Sequence, residues 1–183
     1  MEPISQPEFE RLIHGAKLLE NDRRGPKVYE TPDGQMVKLF RVKRLLSSNL
    51  LCPYAVRFAR NAEGLRALGV PSVEVSKVAR VRHLERQMVV YSKLPGRPLR
   101  HALRDSSSDD GRELMCRFGG FFAKVHELGV FFRSFHFGNV LIAPHGEFSL
   151  IDVLDLQLKG RPLKMAERER NFRHIIRYAE DRQ

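Results

Sequence analysis

The hydrophobic pattern of this chain changes from strand-like to helical and back within the first 95 residues, and this alternation restricts the fold to classes that combine sheet and helix. Two loosely alternating runs, residues 27–31 and 35–40, flank the turn sequence Pro32-Asp33-Gly34, which predicts a hairpin. A helical pattern follows at residues 48–68 and stops at Gly69. We therefore expect an α+β fold.

The same reading predicts the other elements of the first half. Ser5 and Glu8 have capping-box spacing, which indicates a short helix before Gly15. The predicted strands are residues 16–20, 27–31, 35–40, 73–81 and 87–94. Residues 1–94 are thus expected to form an N-terminal lobe, a five-stranded antiparallel sheet with one long helix.

Residues 95–183 are predicted to form a smaller C-terminal lobe. Asp110 and Glu113 have the spacing of an N-cap and its N3 partner, so a helix is expected to begin there and to end at Gly129. The remaining predicted parts are a loop at 131–139, short strands at 140–143 and 148–153, and a final helix at 164–181 that carries Phe172 on its apolar stripe.

The charge balance favours a polyanionic partner, because 32 Lys plus Arg against 22 Asp plus Glu give a formal net charge of +10. No apolar run approaches the ~20 residues of a membrane-spanning helix, and the N-terminus lacks the basic and then apolar pattern of a signal peptide. A cytoplasmic protein is expected. Cys52 and Cys116 show neither zinc-type spacing nor a disulfide framework.

Two polar residues interrupt apolar patterns and are therefore candidates for function. Asn61 completes the spacing of the helical stripe that holds Phe58 and Leu65, so it needs a polar partner. Asp152 lies inside the apolar run 150–154, where an unpaired carboxylate is costly. Both positions favour a functional interpretation.

The order of the predicted elements is that of a kinase fold, and one segment carries a more specific resemblance. Residues 133–142 read Arg-Ser-Phe-His-Phe-Gly-Asn-Val-Leu-Ile, and Leu-Ile-Asp follows at 150–152. These segments resemble the D-x-H-x-x-N catalytic loop and the I-D strand of small-molecule and lipopolysaccharide kinases. From about residue 17 to 178, the chain is similar to the lipopolysaccharide-core kinases (Kdo and heptose kinases) of Gram-negative bacteria, including the short members called toluene tolerance proteins.

This resemblance implies a protein-kinase-like two-lobed fold, compact and with a truncated C-terminal lobe, that uses ATP and Mg²⁺. Lys38 matches the strand lysine that pairs with the ATP phosphates. Asn139 and Asp152 match the two metal ligands, and oxygen donors of this kind suit a hard cation. His136 matches the histidine that braces the catalytic loop.

Ser134 departs from the family pattern because it stands five positions before Asn139, where the family has the aspartate that accepts the substrate proton. A serine hydroxyl is not a base near neutral pH. Arg133 beside it adds positive charge to the loop. Asp155 is a candidate replacement for the missing carboxylate, provided that a turn after Val153 takes it off the face opposite Asp152.

Two further departures concern the first lobe. Asn61 occupies the place of the helix glutamate, so it offers Lys38 a hydrogen bond without a charge. The phosphate loop, residues 21–27, lacks a glycine-rich motif and instead contains Arg23, Arg24 and Lys27. These cations fit either a solvated turn or a phosphate clamp.

Three functions therefore remain open. The first is a kinase that transfers phosphate from ATP to a sugar of the lipopolysaccharide core or another anionic glycolipid, with peripheral contact to the inner membrane surface. The second is a pseudokinase that binds nucleotide or a partner kinase without turnover. The third is nucleic-acid binding through the basic final helix, but the sequence contains no recognised nucleic-acid-binding motif, which argues against it.

Overall fold

The computed structural model describes residues 1–41 and 52–175, which form an α+β fold with a mixed sheet and five α-helices. The helices are α1 (Gln6–Leu12), α2 (Tyr54–Ala67), α3 (Leu99–Arg104), α4 (Ser108–Glu127) and α5 (Met165–Ile175). Within these two ranges of the chain, no helix combines the length and the apolar content needed to cross a bilayer.

The first six strands of the chain and the last five strands form separate sheets. The first group is β1 (Glu2–Ile4), β2 (Lys17–Asp22), β3 (Gly25–Glu30), β4 (Gln35–Arg41), β5 (Val75–Val81) and β6 (Arg86–Ser92). The second group is β7 (Arg97–Pro98), β8 (Val130–Phe132), β9 (Val140–Ile142), β10 (Phe148–Leu150) and β11 (Leu156–Leu158). Short 3₁₀ turns occur at Arg82–Leu84, Phe137–Asn139 and Val153–Asp155.

The chain divides into two compact units. Among the described residues, unit 1 comprises Met1–Glu63 and Val73–Lys93, and unit 2 comprises Gly64–Ser72 and Leu94–Gln183. Unit 2 thus takes in residues 64–72, which the sequence-based division assigns to the first lobe.

The sheet of unit 1 has the strand order β1-β5-β6-β4-β3-β2. Its hairpin around Asp33 forms as predicted, with Gly34 in the left-handed region at φ +78°. The five predicted strands are all present and pair antiparallel in the order β5-β6-β4-β3-β2. The prediction missed β1, a sixth strand that runs parallel to β5, with Glu2 opposite Ala79. Three residues are too few to show an alternating pattern, and their partner strand lies far along the chain.

Helices cover both faces of this sheet. One face carries an apolar cluster in which Phe9 of α1 packs with Val37, Leu39 and other strand residues. On the other face Phe40 contacts Phe58 of α2, with ring centroids 5.6 Å apart. Glu63 of α2 faces solvent. The side of the sheet that carries Lys38 and Phe40 is therefore the side that faces α2.

Unit 2 contains two small antiparallel sheets, β10-β9-β7 and β11-β8. Residues 64–72 are tied to β10, because Ser72 Oγ donates to the Leu150 carbonyl at 2.8 Å and Leu150 N donates to the Pro71 carbonyl at 2.9 Å. Strands β9 and β10 confirm the two predicted short strands. Strands β7, β8 and β11 and helix α3 were not predicted, because each is only two to six residues long.

Both long helices of unit 2 differ from the prediction in detail. Helix α4 begins earlier than expected, because Ser107 is the N-cap and accepts from the Asp110 main-chain N–H at 3.2 Å. In α5, Phe172 is 55% exposed, so the predicted apolar stripe does not hold at that position. The predicted continuation of this helix through 176–181 lies outside the described residues.

A buried polar pair joins α4 to α5. His126 is 4% exposed and Asn171 is fully buried, with His126 Nε2 3.4 Å from Asn171 Nδ2. The ring of His126 also lies against Phe122, with centroids 4.0 Å apart. Burial lowers the pKa of His126 to about 4, and the nearby Arg168 acts in the same direction. The histidine is therefore neutral at physiological pH.

Candidate active site

The segment 133–139 of unit 2 is held in one conformation by its own backbone and side chains. The Phe135 N–H donates to the Phe132 carbonyl at 3.2 Å, and the Asn139 N–H donates to the His136 carbonyl at 2.9 Å. His136 Nδ1 accepts from the Gly138 N–H at 3.1 Å, so the histidine caps the 3₁₀ turn. The bracing role expected for His136 is consistent with this bond.

Two phenylalanines of the loop pack against aromatic residues of α4. Phe135 is fully buried and Phe137 is 6% exposed. Phe118 of α4 meets Phe137 edge-to-face at 5.3 Å between centroids, and Phe122 meets Phe135 in the same manner at 4.9 Å. The alternation of apolar and polar residues in Ser-Phe-His-Phe-Gly-Asn thus places the phenylalanines in the core and leaves the polar side chains to form the site.

The Asn139 side chain joins the end of the loop to its beginning at Ser134. Asn139 is 8% exposed, and its Nδ2 donates to the Ser134 carbonyl at 3.0 Å. This bond uses the amide nitrogen, so the amide oxygen is the atom that remains as an electron donor. Its backbone carbonyl accepts from the Ile151 N–H at 3.0 Å, which places the residue beside the segment that carries Asp152.

Asp152 has an unusual backbone conformation. Its φ and ψ angles are 54° and 46°, in the left-handed region, which non-glycine residues seldom adopt. The side chain is half-buried. The predicted strand 148–153 therefore ends early, at Leu150, and Asp152 begins a turn. Such conformations cost about 1–3 kcal/mol and concentrate at functional sites.

Asp152 and Asn139 carry oxygen atoms of the type that Mg²⁺ prefers. No group of three or more His, Cys, Asp or Glu side chains in the described part of the chain is arranged to hold a metal ion. Mg²⁺, however, is commonly held by one or two carboxylates while phosphate and water oxygens complete its octahedron. The carboxylate of Asp152 and the amide oxygen of Asn139 are hard oxygen donors of this kind.

The 3₁₀ turn Val153–Asp155 brings Asp155 to the loop. Ser134 Oγ donates to Asp155 Oδ2 at 3.3 Å, and the Arg133 N–H donates to the Asp155 carbonyl at 3.4 Å. The sequence left open whether a turn after Val153 would reorient Asp155, and the structure contains that turn. The Arg133 side chain is exposed, so its guanidinium adds positive charge at the surface of the loop.

Lys38 and Asn61, the two residues expected to contact nucleotide, lie in unit 1. Lys38 is half-buried in β4, between Val28 of β3 and Val89 of β6. It shares a face of the sheet with Phe40, which contacts Phe58 of α2. Asn61 is also half-buried and follows Phe58 by three residues, so it lies on the same side of α2. The two residues thus belong to facing surfaces of strand and helix.

Two residues of the basic turn between β2 and β3, Lys27 and Arg24, contact other protein groups, the latter through its main chain. Lys27 Nζ lies 2.8 Å from Glu20 Oε1 and 3.6 Å from Asp22 Oδ2. The hydrogen bond to Glu20 raises the pKa of Lys27. The Arg24 carbonyl accepts from Arg86 Nη2 at 2.5 Å. These contacts favour a structural role for Lys27 over a role as a phosphate clamp.

Arg100 is a candidate that the sequence did not identify. It lies on α3, which packs on the Phe137–Asn139 turn. A Cβ atom at Gly138 would lie 3.7 Å from the Arg100 guanidinium carbon and 3.0 Å from two ring atoms of His136. Glycine at 138 therefore permits this close approach. No sequence signal marks Arg100, because α3 itself lacks a recognisable pattern.

The candidate site of unit 2 therefore consists of Ser134, His136, Asn139, Asp152 and Asp155. Arg133 lies at its surface, and Arg100 lies near Gly138 of the 3₁₀ turn. Comparison of the chain with models of known protein families, and with curated proteins, finds no match.

Proposed function

We propose that this chain is an ATP-dependent phosphotransferase with a protein-kinase-like fold, acting on a sugar hydroxyl of an anionic glycolipid such as the lipopolysaccharide core. The observation that carries the proposal is the pairing of a braced His-x-Gly-Asn loop with an aspartate in a left-handed conformation. The Asn139 carbonyl and the Ile151 N–H join these two parts at 3.0 Å.

Each residue of unit 2 has a distinct task in this proposal. Asn139 and Asp152 hold Mg²⁺, which neutralises phosphate charge when it is bound. His136 stabilises the turn through the hydrogen bond that Nδ1 accepts, and the contact of Phe137 with Phe118 packs the loop against α4. Phosphoryl transfer depends mainly on positioning and charge neutralisation, so a rigid loop with few charged groups is sufficient in principle.

In unit 1, Lys38 is the proposed partner of the ATP phosphates. Its place between Val28 and Val89 restricts the side chain to one face of the sheet. Asn61 lies on the side of α2 that faces this surface and supplies a neutral amide for positioning the lysine.

The first test is thermal unfolding with and without Mg·ATP. A ligand at 100 times its dissociation constant adds ~2.7 kcal/mol to the free energy of unfolding, which raises Tm by roughly 5–11 °C for a chain of this size. The variants are Lys38→Ala and Asp152→Asn, since asparagine tolerates the left-handed conformation and removes only the charge. Lys77→Ala, an exposed strand lysine, is the matched control.

We expect a magnesium-dependent rise in Tm for the wild type and for Lys77→Ala. The rise should be lost in Lys38→Ala and Asp152→Asn. A folded wild-type protein that shows no shift at millimolar Mg·ATP would contradict the proposal.

One observation favours a pseudokinase as the second candidate. Ser134 occupies the position of the proton-accepting aspartate, and a serine alone does not supply that function. ADP release by protein that binds Mg·ATP separates the two candidates, because a pseudokinase binds nucleotide without releasing ADP above background.

The glycolipid substrate rests on the resemblance and on charge. Within α5, Arg168 pairs with Glu127 at 2.7 Å and Arg173 pairs with Glu169 at 2.5 Å, so these cations are partly neutralised. Partial neutralisation weakens the attraction of these cations to any polyanion, so the preference for a glycolipid over nucleic acid rests on the resemblance. Transfer of labelled phosphate from ATP to purified lipopolysaccharide core, with RNA binding at the same ionic strength as the comparison, tests the choice of partner.

A further inference from the structure

We propose that Ser134 and Asp155 form a proton relay, in which Ser134 receives the proton of the acceptor hydroxyl and passes its own proton to Asp155. This inference rests on the proposed phosphotransferase function. It assigns to two residues the task that one aspartate performs in the family that the chain resembles.

Strand pairing positions the relay. In the antiparallel β8–β11 ladder Phe132 lies opposite Leu156. The residue after Phe132 is Arg133 and the residue before Leu156 is Asp155, so these two residues lie next to each other at the end of the ladder. The Arg133 N–H donates to the Asp155 carbonyl at 3.4 Å, which extends the ladder by one bond. Asp155 is therefore fixed by the backbone beside the loop.

The two side chains are close enough for the hydroxyl to donate to the carboxylate. Ser134 Oγ lies 3.3 Å from Asp155 Oδ2, and a serine hydroxyl that donates its hydrogen still has oxygen lone pairs that can accept another proton. Asn139 Nδ2 holds the Ser134 carbonyl at 3.0 Å, which connects the relay to the proposed metal ligand. Ser134 is half-buried and Asp155 is exposed, so both are within reach of a substrate from solvent.

The step balances without any other reactant. The acceptor oxygen forms a bond to the γ-phosphorus of ATP as the bond from that phosphorus to the β,γ-bridging oxygen breaks and ADP leaves. The O–H bond of the acceptor breaks and its proton joins Ser134 Oγ. The original Ser134 proton moves to Asp155 Oδ2, which becomes a carboxylic acid and later releases the proton to water.

The test uses the full chain with Mg·ATP, and water takes the place of the acceptor hydroxyl, so that ADP release reports turnover. The variants are Ser134→Ala, Asp155→Asn and the double variant. Ser134→Ala retains the backbone carbonyl that accepts from Asn139 Nδ2, so the position of Asn139, the proposed metal ligand, should be unchanged. Asp105→Asn, an exposed aspartate paired with Arg97 at 3.0 Å, is the control.

General-base assistance is worth about 10²–10⁴-fold. Each single relay variant should therefore lower kcat by at least about 10²-fold, with KM for ATP and the Mg·ATP thermal shift unchanged. The double variant should be no slower than the slower single variant, because the two residues act in series. Asp105→Asn should have wild-type turnover.

A rescue variant distinguishes the relay from a structural hydrogen bond. Combining Ser134→Asp with Asp155→Asn places a carboxylate directly on the loop and leaves an amide as its hydrogen-bond partner. This variant should recover turnover to within about tenfold of wild type. A merely structural role for the pair predicts no recovery of turnover.

A second readout needs neither nucleotide nor metal. In the ligand-free protein, Ser134→Ala and Asp155→Asn should each lower Tm, and their combination should lower it by less than the sum, because the shared hydrogen bond is lost only once. Strictly additive shifts would overturn the contact on which the relay depends.

The outcomes separate the relay from the function on which it rests. A wild-type protein with no Mg·ATP shift overturns the phosphotransferase proposal, and the relay with it. Nucleotide binding without wild-type ADP release favours the pseudokinase and overturns the phosphotransferase proposal and the relay together. ADP release that Asp155→Asn leaves unchanged overturns the relay alone. Binding, loss of turnover in both single variants and rescue by the carboxylate at position 134 support it.

Discussion

Acidification from pH 7.5 to pH 5 should destabilise unit 2 through His126. Its ring is 4% exposed, lies 4.0 Å from Phe122 between centroids, and has Asn171 Nδ2 at 3.4 Å from Nε2. Burial disfavours the charged form of this ring, and the nearby Arg168 acts in the same direction. The folded state therefore binds the proton that charges the ring only near pH 4, whereas an unfolded histidine binds it near the ordinary pKa of 6.5.

The sign and size of the effect follow from these two pKa values. Between pH 6.5 and pH 4 the unfolded chain binds the proton and the folded chain does not, so the free energy of unfolding falls as the pH falls. The contribution is complete above pH 6.5. At pH 5 about 2 kcal/mol is lost, and about 3 kcal/mol is lost once the pH is below 4.

The assay compares urea unfolding of the wild type with that of His126→Gln at pH 7.5, 6 and 5, followed by far-UV circular dichroism. Glutamine removes the titration, so between pH 7.5 and pH 5 the variant should lose about 2 kcal/mol less than the wild type. His14→Gln, at an exposed position, is the control and should follow the wild type. Histidine ring resonances in NMR spectra report the pKa of His126 directly.

Equal losses for wild type and His126→Gln over this range would refute the reasoning. An NMR titration of His126 near pH 6.5 in the folded protein would refute it independently. Glu167, whose pKa is held at about 2 by Arg161, does not interfere, because its contribution changes only below pH 4.5.

Three other perturbations test separate features of unit 2. Glu167→Gln should lower Tm at pH 7, because it breaks the two-point contact with Arg161 at 2.8 and 3.0 Å, and the difference from wild type should shrink as the pH falls from 4.5 towards 2. In urea unfolding, Gly129→Ala should destabilise the chain by several kcal/mol, since φ at Gly129 is +74° and the new Cβ would collide with the Arg161 main chain. Gly119→Ala is the matched control in the same assay. It has open space around it and should stabilise α4 by about 0.5–1 kcal/mol. Ser72→Ala should cost about 1–2 kcal/mol in the same assay, because it removes a buried 2.8 Å hydrogen bond to a carbonyl of β10.

Local signals in the sequence were enough to predict the elements that local interactions form. The Ser5 and Glu8 capping box is present with both of its hydrogen bonds. The hairpin around Asp33 and the ends of α2 and α4 at Gly69 and Gly129 also follow from residue type, since each glycine has a positive φ. These features depend on a few neighbouring residues, so their chemistry is visible in the sequence.

Elements formed by distant pairing were not predictable in the same way. Strand β1 exists because Glu2 and Ile4 pair with β5, and β11 exists because it pairs with β8. Three-residue strands carry no periodicity of their own. The N-cap of α4 was placed at Asp110 rather than Ser107, because both residues are good caps and only geometry chooses between them.

The candidate site shows the same division. Asp152 was identified from sequence because it interrupts an apolar run, whereas Ser134, His136 and Asn139 were identified through the motif that the loop resembles. The contact of Asp155 with Ser134 depends on a 3₁₀ turn and a left-handed residue, which the apolar pattern of 150–154 conceals. Arg100 depends on the packing of α3, which no sequence pattern indicated.

The β8–β11 ladder also has a consequence for how the protein folds. All of its pairs lie within residues 130–158, so only a short loop must close to form it, whereas the pairing of Glu2 with Ala79 encloses most of unit 1. Because short loops close at a lower entropic cost, the ladder should acquire amide protection early in refolding and β1 should acquire it late. In pulsed hydrogen exchange, the residues around Ser134 should therefore be protected while the N-terminal edge of the sheet still exchanges.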